Sequence, residues 1–514
     1  MKALFKNGIC FSLCFACLFA FGPLDRAWSA PRGRVVVAMG GDPTTLDHQM
    51  HAEIHANVVD NNIYDYLVKR IFKDGKIQHE PMLATSWETI NDTTWVFRLR
   101  RGIKFHNDEE FNAEAVKFSI DRVLNPAQKA PRRQYFTFVD RVEVIDPYTV
   151  KIVTKTPIAF LLTNLGFGLT IIPPKYTKEK GDAYVGTHPV GTGPFKFVRW
   201  KKDEEIVLEA NENYWGGPPN IKTLVFKPIP EDSTRMAALL SGDVDIIKNV
   251  PIHLTELVNK SGKARVMFTP GGTTVNIYFD MLKEGPLKDK RVRQAINYGV
   301  DKDAIIKHVF EGNARPVAGL LNPAHFGYDP NIKPYPYDPG KAKALLKEAG
   351  YAEGFSTILN HPQGRFEKDK EFAEAIAGQL THVGINMKVQ VLEWGSFMKK
   401  MYSPEGAGPT FTRGWAGTFD ADGIYTPLLS CGAPMSRNCN KQLDGLLGQA
   451  RSTLDPKKRE QFYSQVGRFV YDEAPALFLF NLVDGYGVGH RVQDWKPTPD
   501  ESFTLSLSGA SLKD

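Results

Sequence analysis

Hydrophobic and polar positions in this chain follow two different periods. Residues 94–100 place Trp95, Phe97 and Leu99 on one face with a period of two, and residues 142–154 alternate in the same way on either side of Asp146-Pro147. Both stretches read as half-buried strands, the second as a hairpin. Between them Asn112 stands ahead of Glu114 and a stripe of Val116, Ile120, Val123 and Leu124, which predicts a capped amphipathic helix. A strand-rich zone follows at 194–228, with pairable segments at 195–200, 205–210 and 224–227. From about Thr273 the pattern turns helical. Asp301 opens a helix that should end at Gly312, and Asp338 with Pro339 opens another that should stop at Gly350. A third helix, 369–383, leads into a strand at 386–392 where Met387, Val389 and Val391 alternate; a helix around 459–471 precedes a last strand at 476–481. This alternation predicts an α/β protein of two mixed lobes joined near Thr273.

Composition narrows the class. The 514 residues are 42% hydrophobic and 24% charged, with 44 glycines and 34 prolines, which excludes collagen, disorder and coiled coil. The formal charge of +6 is spread along the chain without basic runs, so no nucleic-acid partner is expected. Residues 1–29 have the layout of a cleavable secretory signal: Lys2 and Lys6 precede an apolar stretch from Ile9 to Phe21, and Ala27-Trp28-Ser29 supplies small residues at the −3 and −1 positions. Cleavage is expected after Ser29, giving a mature protein that begins at Ala30 in the periplasm. The apolar stretch falls short of the ~18 to 20 residues that span a bilayer, and no other segment reaches that length.

Cysteine usage agrees with export. Cys10, Cys14 and Cys17 all lie in the leader, so the Cys14-Phe-Ala-Cys17 spacing has no redox meaning in the mature chain. Only Cys431 and Cys439 remain, in a loop rich in Gly, Pro, Ser and Asn, and in an oxidising compartment they should form a disulfide.

Chemistry-bearing motifs are mostly missing. The chain has no Gly-x-Ser-x-Gly elbow, Walker loop or His-Glu-x-x-His, and Gly191-Thr-Gly193 lacks the third glycine of a dinucleotide fingerprint. No enzyme activity and no cofactor are expected, although a triad scattered through the sequence would leave no such signature. His48, His51 and His55, with Glu53 among them, form the one cluster of metal-ligating type; they read first as polar residues of a loop or helix facing a cleft or solvent, and no metal is expected. Trp394, Phe397, Trp415, Phe419 and Tyr425 fall in a glycine-rich stretch and suit either a core or the wall of a ligand cleft. Asp420 and Asp422 beside them either face a cationic group or turn the loop.

Several segments carry a resemblance. Leu83-Ala-Thr-Ser-Trp-Glu88, the run from Trp95 to His106, and Phe111 to Asp121 resemble the family 5 extracellular solute-binding proteins, the peptide, nickel and related receptors of ABC importers. Gly191-Thr-Gly-Pro-Phe195, Asn213-Tyr-Trp-Gly-Gly217, Leu287 to Ile296 and Asp338 to Gly350 extend the likeness over essentially the whole mature chain. The resemblance implies the two-lobed periplasmic binding protein fold (type II, cluster C) with an extra subdomain in the first lobe. By that likeness the first lobe is 30–272 with a return at 480–514, the extra subdomain lies near 76–185, and the second lobe is 273–479. It also implies a monomer that closes on a ligand about a hinge and hands it to permease subunits in the inner membrane.

Site residues follow from the same likeness. Arg365 looks like the arginine that holds the ligand carboxylate in dipeptide receptors, and a planar guanidinium suits that role. Thr418 occupies the place of the aspartate that anchors a ligand ammonium there, so such an anchor is missing unless Asp420 or Asp422 substitutes. Cys431 and Cys439 match a disulfide-bearing segment beside that site. The expected ligand-binding set is Arg365, Trp415, Thr418, Trp394, Asp420, Asp422, His48, His51 and Tyr425. The expected ligand is a short peptide or a carboxylated, peptide-like or opine-like solute. Nickel, free or chelated, and an oligosaccharide are the alternatives, and a secreted hydrolase is a more distant one.

Overall fold

The computed structural model describes residues 30–73, 76–363, 365–403, 405–499 and 509–513. The expected leader, 1–29, lies outside the described residues. An eleven-stranded mixed sheet runs through the molecule, and its centre is a pair of long antiparallel strands, Ala264–Phe279 and Ala476–Gly489. Each lobe builds on a different end of this pair. Tyr486–Val488 pair with Ile246–Lys248, and the sheet continues through Arg32–Met39, Ile221–Pro228, Glu205–Ala210 and Phe195–Lys201. At the other end Thr274–Phe279 pair with Thr410–Trp415, followed by Phe355–Pro362 and Ile385–Leu392.

Both faces of each half are covered, which explains runs where alternation fades. In Arg32–Met39, Val35 and Val37 join one core with Leu208 and Phe226, while Val36 and Ala38 join another with Val207 and Val225. In the second lobe Val275, Ile277 and Phe279 pack under helices on one face, and Tyr278 and Phe411 pack under other helices on the opposite face.

The 84–154 region folds as a separate antiparallel sheet, in the order Ala84–Asn91, Thr94–Leu99, Thr149–Thr154, Val139–Asp146. Helix Ala113–Leu124 covers it, with Val116, Ile120 and Val123 in one core with Trp95, Phe97 and Leu99. Its cap is the expected one: Asn112 Oδ1 accepts the Ala115 N–H at 3.2 Å. Asp338 and Asp301 cap their helices in the same way. The Asp301 helix spans Lys302–His308 and ends short of Gly312, because the chain turns over through Glu311 and Gly312 in left-handed conformations, with φ of 51° and 84°. Among the described residues no helix is long and apolar enough to cross a membrane.

The ladder between the two central strands breaks between Pro270 and Thr274, opposite Asn481. Side chains replace the lost backbone bonds there. Asn481 Nδ2 donates to the carbonyls of Gly271 (2.7 Å) and Thr273 (2.9 Å), and Asn322 Nδ2 donates to those of Gly272 (2.9 Å) and Gly271 (3.3 Å). The crossing is a bulged segment whose carbonyls are held by amide side chains.

Candidate ligand site at the lobe junction

Strand Thr410–Trp415 carries the chain straight to this crossing, since Trp415 pairs with Thr274. The loop after it reaches the first lobe. Arg70, on strand Val68–Lys73, donates from Nη1 to the Thr418 carbonyl at 3.3 Å and lies over the Phe419 ring at 5.2 Å, while Phe72 meets Phe419 edge to face at 5.0 Å. Phe419 is buried and has φ of 61°, in the left-handed region. Close approach makes this possible: a Cβ on Gly272 would come within 2.3 Å of the Phe419 ring. A second bridge joins the lobes where the Ala159 N–H donates to the Arg451 carbonyl at 3.1 Å and Arg451 lies over Phe160 at 5.3 Å. The lobes are thus in contact at two places.

Carboxylates near this junction are already engaged. Asp420 takes both ends of the Arg459 guanidinium, at 2.7 and 2.6 Å, with both residues buried. Burial opposes the Arg459 charge, but Asp420 more than offsets it and holds the group above its ordinary range. Asp422 accepts the Thr426 hydroxyl at 2.7 Å and lies 3.5 Å from Arg451; burial pushes its carboxyl up. Thr418 itself is buried and neutral. Neither aspartate is therefore placed as an open partner for a ligand ammonium.

Two arginines lie on or beside the strand that leads to this loop. Arg365 is exposed at the turn before helix Asp369–Thr381, with its guanidinium over Trp394 at 5.6 Å and over Phe366 at 5.4 Å. Trp394 is 43% exposed and stacks on Phe397. Phe366 packs on the strand between Arg413 and Trp415, because a Cβ on Gly414 would meet it at 2.5 Å. Trp415 donates from Nε1 to the Gly423 carbonyl at 2.8 Å, and Arg413 lies over its ring at 4.6 Å. Tyr425 is buried beside Tyr463 and belongs to the core of the second lobe.

On the first lobe, His48, His51 and Asp60 are the one group among the described residues with ligand atoms within 4.8 Å of one another. His51 Nε2 is 2.6 Å from Asp60 Oδ2, and His48 Nδ1 is 3.4 Å from the same oxygen. The side chain of His55 lies outside the described residues. Burial pushes the His48 imidazole down to about 3, and the Arg132 charge adds to that effect. Arg132 donates to the His48 carbonyl, so a fixed cation sits against the cluster and opposes a metal ion. Arg132 and Arg70 also share the Phe167 ring, at 5.4 and 4.9 Å, which links this cluster to the junction.

Residues 78–436 match the family of bacterial extracellular solute-binding proteins, family 5. The chain belongs to this family. It is 34% identical to the dipeptide-binding protein of Escherichia coli (strain K12) over 457 residues, 81% of this chain and 83% of that one. It is 32% identical to the glutathione-binding protein GsiB of Pectobacterium atrosepticum over 463 residues, 86% of this chain and 88% of that one. Among solved structures it resembles the periplasmic binding protein DppA of Helicobacter pylori in complex with the peptide STSA, at TM-score 0.79 and 30% identity over 94% of this chain and 98% of that one. It also resembles AgaA of A. tumefacien R10 in complex with agropinic acid, at TM-score 0.78 and 28% identity over 94% of this chain and 99% of that one. Family 5 members are solute-binding proteins that act outside the cytoplasm and serve ABC importers.

In this family 5 protein the Cys431–Cys439 disulfide, with Cα atoms 4.3 Å apart, holds the loop that lays Met435 against Arg413. Sequence reasoning passed over Arg413, Arg70 and Arg132. The available signal for Arg413 was its place between Phe411 and Trp415 on one face of a strand; Arg132 and Arg70 reach the junction only through the fold. A cavity of about 610 Å³ on the first lobe is a separate feature, where Lys117 pairs with Asp121 and Arg122 with Asp182.

Proposed function

We propose that this protein is the periplasmic receptor of an ABC importer for a short peptide, or a peptide-like or opine-like solute, that carries a carboxylate. The observation that carries the reading is the charge balance at the junction: Asp420 and Asp422 are held in protein contacts, whereas Arg413 meets no carboxylate among the described residues. The relatives' names point the same way, since dipeptides, glutathione and agropinic acid all carry carboxyl groups. In this reading Arg365 takes the carboxylate, Trp394 and Trp415 give the apolar walls, and Thr418 leaves an ammonium without a counter-charge. The lobes are 30–272 with 480–514, and 273–479, with the extra subdomain near 76–185, so that the crossings near Thr273 and Phe480 absorb the closing rotation. Export by the leader cut after Ser29, function as a monomer, and delivery to inner-membrane permease subunits complete the assignment.

Thermal-shift titration with dipeptides, glutathione and an opine tests it, with nickel–histidine and a maltooligosaccharide as contrasts. A ligand that binds only the folded form raises the midpoint by mass action, so at least one carboxylated probe should give a saturable shift and be recovered intact. A shift confined to the sugar or to nickel, or consumption of the probe, would overturn the reading.

A further inference from the structure

The structure points to Arg413 as a second anion anchor in the ligand site: we propose that the solute carries two carboxylates, one of them taken by Arg413. This rests on the carboxylated-solute reading above. Six arginines are buried among the described residues: Arg122, Arg132, Arg235, Arg293, Arg413 and Arg459. Five of them are satisfied by oxygen. Arg122 meets Asp47 and Asp182, Arg235 meets Asp232 and two carbonyls, Arg293 meets Glu473 and carbonyls, and Arg459 meets Asp420. Arg132 donates to the carbonyls of His48 and Phe167 and to the Asn57 side chain.

Arg413 differs. It is 7% exposed, its Nη1 has no hydrogen-bond partner, and its Nη2 lies on the thioether sulfur of Met435, a weak acceptor. Among the described residues no carboxylate is within ion-pair distance of it; its support comes from the phenols of Tyr278 and Tyr402, the latter also through a side-chain hydrogen bond. A buried charge without a counter-charge is strongly unfavourable, so the arrangement is understandable if the counter-charge arrives from outside.

Its position allows that. Arg413 and Trp415 share one face of the strand that enters the lobe junction, and the guanidinium stacks on the half-buried Trp415 ring. Tyr402, beside Arg413, lies close enough to Tyr135 of the first lobe to interact electrostatically with it, and Tyr135 packs on the Phe167 ring that also carries Arg70 and Arg132. Trp415, on which the guanidinium stacks, pairs with Thr274 at the crossing, and this sets Arg413 beside the lobe junction. Phe366, the neighbour of Arg365, packs on Gly414, whose side-chain direction alternates with those of Arg413 and Trp415, so the two arginines border the same short stretch of strand from opposite faces. An acidic dipeptide, a glutathione-like peptide or an opine presents two carboxylates of the kind such a pair would separate.

Calorimetry on wild type, Arg413→Gln and Arg413→Lys tests this with matched probes: Ala-Glu against Ala-Gln, and glutathione against its monoethyl ester. Wild type should prefer the dicarboxylate of each pair by at least about tenfold. Arg413→Gln should lose roughly thirtyfold or more for the dicarboxylate, stay within about twofold for the neutral counterpart, and so erase the preference, while Arg413→Lys retains part of it. The apo protein gives an independent readout. Its thermal midpoint should rise in Arg413→Gln, because an uncompensated charge is removed, whereas an arginine needed for packing would make it fall. A preference that survives in Arg413→Gln, or a lowered midpoint with equal losses for both members of a pair, would overturn the proposal. If singly carboxylated probes bind wild type with no preference for a second carboxylate, this inference alone fails; if no carboxylated probe binds, the broader reading fails with it.

Discussion

Asp420→Ala separates a structural carboxylate from a ligand-binding one. Asp420 and Arg459 are 2% and 4% exposed, and they are joined by two charge-assisted hydrogen bonds of 2.7 and 2.6 Å. The guanidinium also lies over Phe326 at 4.7 Å and Tyr463 at 5.0 Å, and its remaining protein contacts are the Tyr463 hydroxyl at 3.1 Å and the Ala450 carbonyl at 3.2 Å. None of these supplies a compensating charge, and the Asp422 carboxylate, which also favours the Arg459 charge, comes after Asp420 in its effect. Removing the carboxylate strands a desolvated cation, which costs on the order of 3 to 5 kcal/mol. The double variant Asp420→Leu/Arg459→Met should recover most of that loss, because a buried pair replaced by apolar groups of similar volume is often close to neutral. Urea denaturation followed by circular dichroism measures both effects, and calorimetry on folded Asp420→Ala measures affinity. The expected result is a large loss of stability with affinity for a carboxylated probe within about threefold of wild type. Wild-type stability combined with a loss of binding would refute the reasoning and return Asp420 to the ligand as an ammonium anchor.

Three further outcomes are expected. Arg365→Ala should weaken a carboxylated probe by about tenfold or more, with Arg365→Lys recovering part, as read by calorimetry; the estimate is modest because the exposed guanidinium is screened by water. Near wild-type affinity would remove Arg365 from the site. Acid should destabilise the fold: burial pushes His48 down to about 3 and His79, His106 and His325 to about 4, all from 6.5. Between those values and 6.5 the unfolded chain takes up protons that the folded chain refuses, so stability is full above about pH 6.5 and falls below it. Asp65, raised by burial to about 6, acts in the opposite sense, as do Asp422 and Glu367, which burial also raises; the four histidines outnumber these three. A urea midpoint that does not fall between about pH 7.5 and 4.5 would contradict this balance. Intact mass of exported protein should give a chain beginning at Ala30 that gains two hydrogens on reduction, as the Cys431–Cys439 bond requires; an unchanged mass would mean free thiols.

Local signals were the legible part of the fold. Asn112, Asp301 and Asp338 cap helices because a short acceptor ahead of an amphipathic stripe has its partner N–H within three residues, so nothing distant is needed. The strand expected at 476–481 extends to Gly489, since the residues beyond Asn481 are ordered by pairing with 264–270, more than two hundred positions earlier. That partner is invisible to periodicity. The site was legible only in outline. Trp394 and Trp415 stand out as aromatics among glycines, but the fate of Asp420 depends on Arg459 and the unsatisfied state of Arg413 depends on the loop closed by Cys431 and Cys439. Charges are as easy to see in sequence as rings are. What sequence cannot show is whether each has found its counter-charge, because such pairs form across elements with no fixed spacing.

In the proposed reading the same short segment serves both closure and ligand recognition, and this would couple the two energetically. Arg413 and Trp415 form the wall, while Thr418 and Phe419, three and four residues after Trp415, make the contacts to Arg70 and Phe72 across the junction. Phe419 holds a left-handed backbone that costs an L residue roughly 1 to 2 kcal/mol. Its ring offsets that cost through contacts with Phe72, Arg70 and His325. The contacts to Phe72 and Arg70 are available only while the first lobe is in place, so opening leaves the strain with fewer compensations. A ligand that engages Arg413 and Arg365 adds to the closed side of this balance, and it can shift the equilibrium only by its differential affinity for that side. A wall with an unpaired buried cation is well suited to supply such a difference, because the charge is uncompensated in the empty protein and neutralised only when an anion is enclosed. The specificity of the site and the drive to close would then come from the same guanidinium.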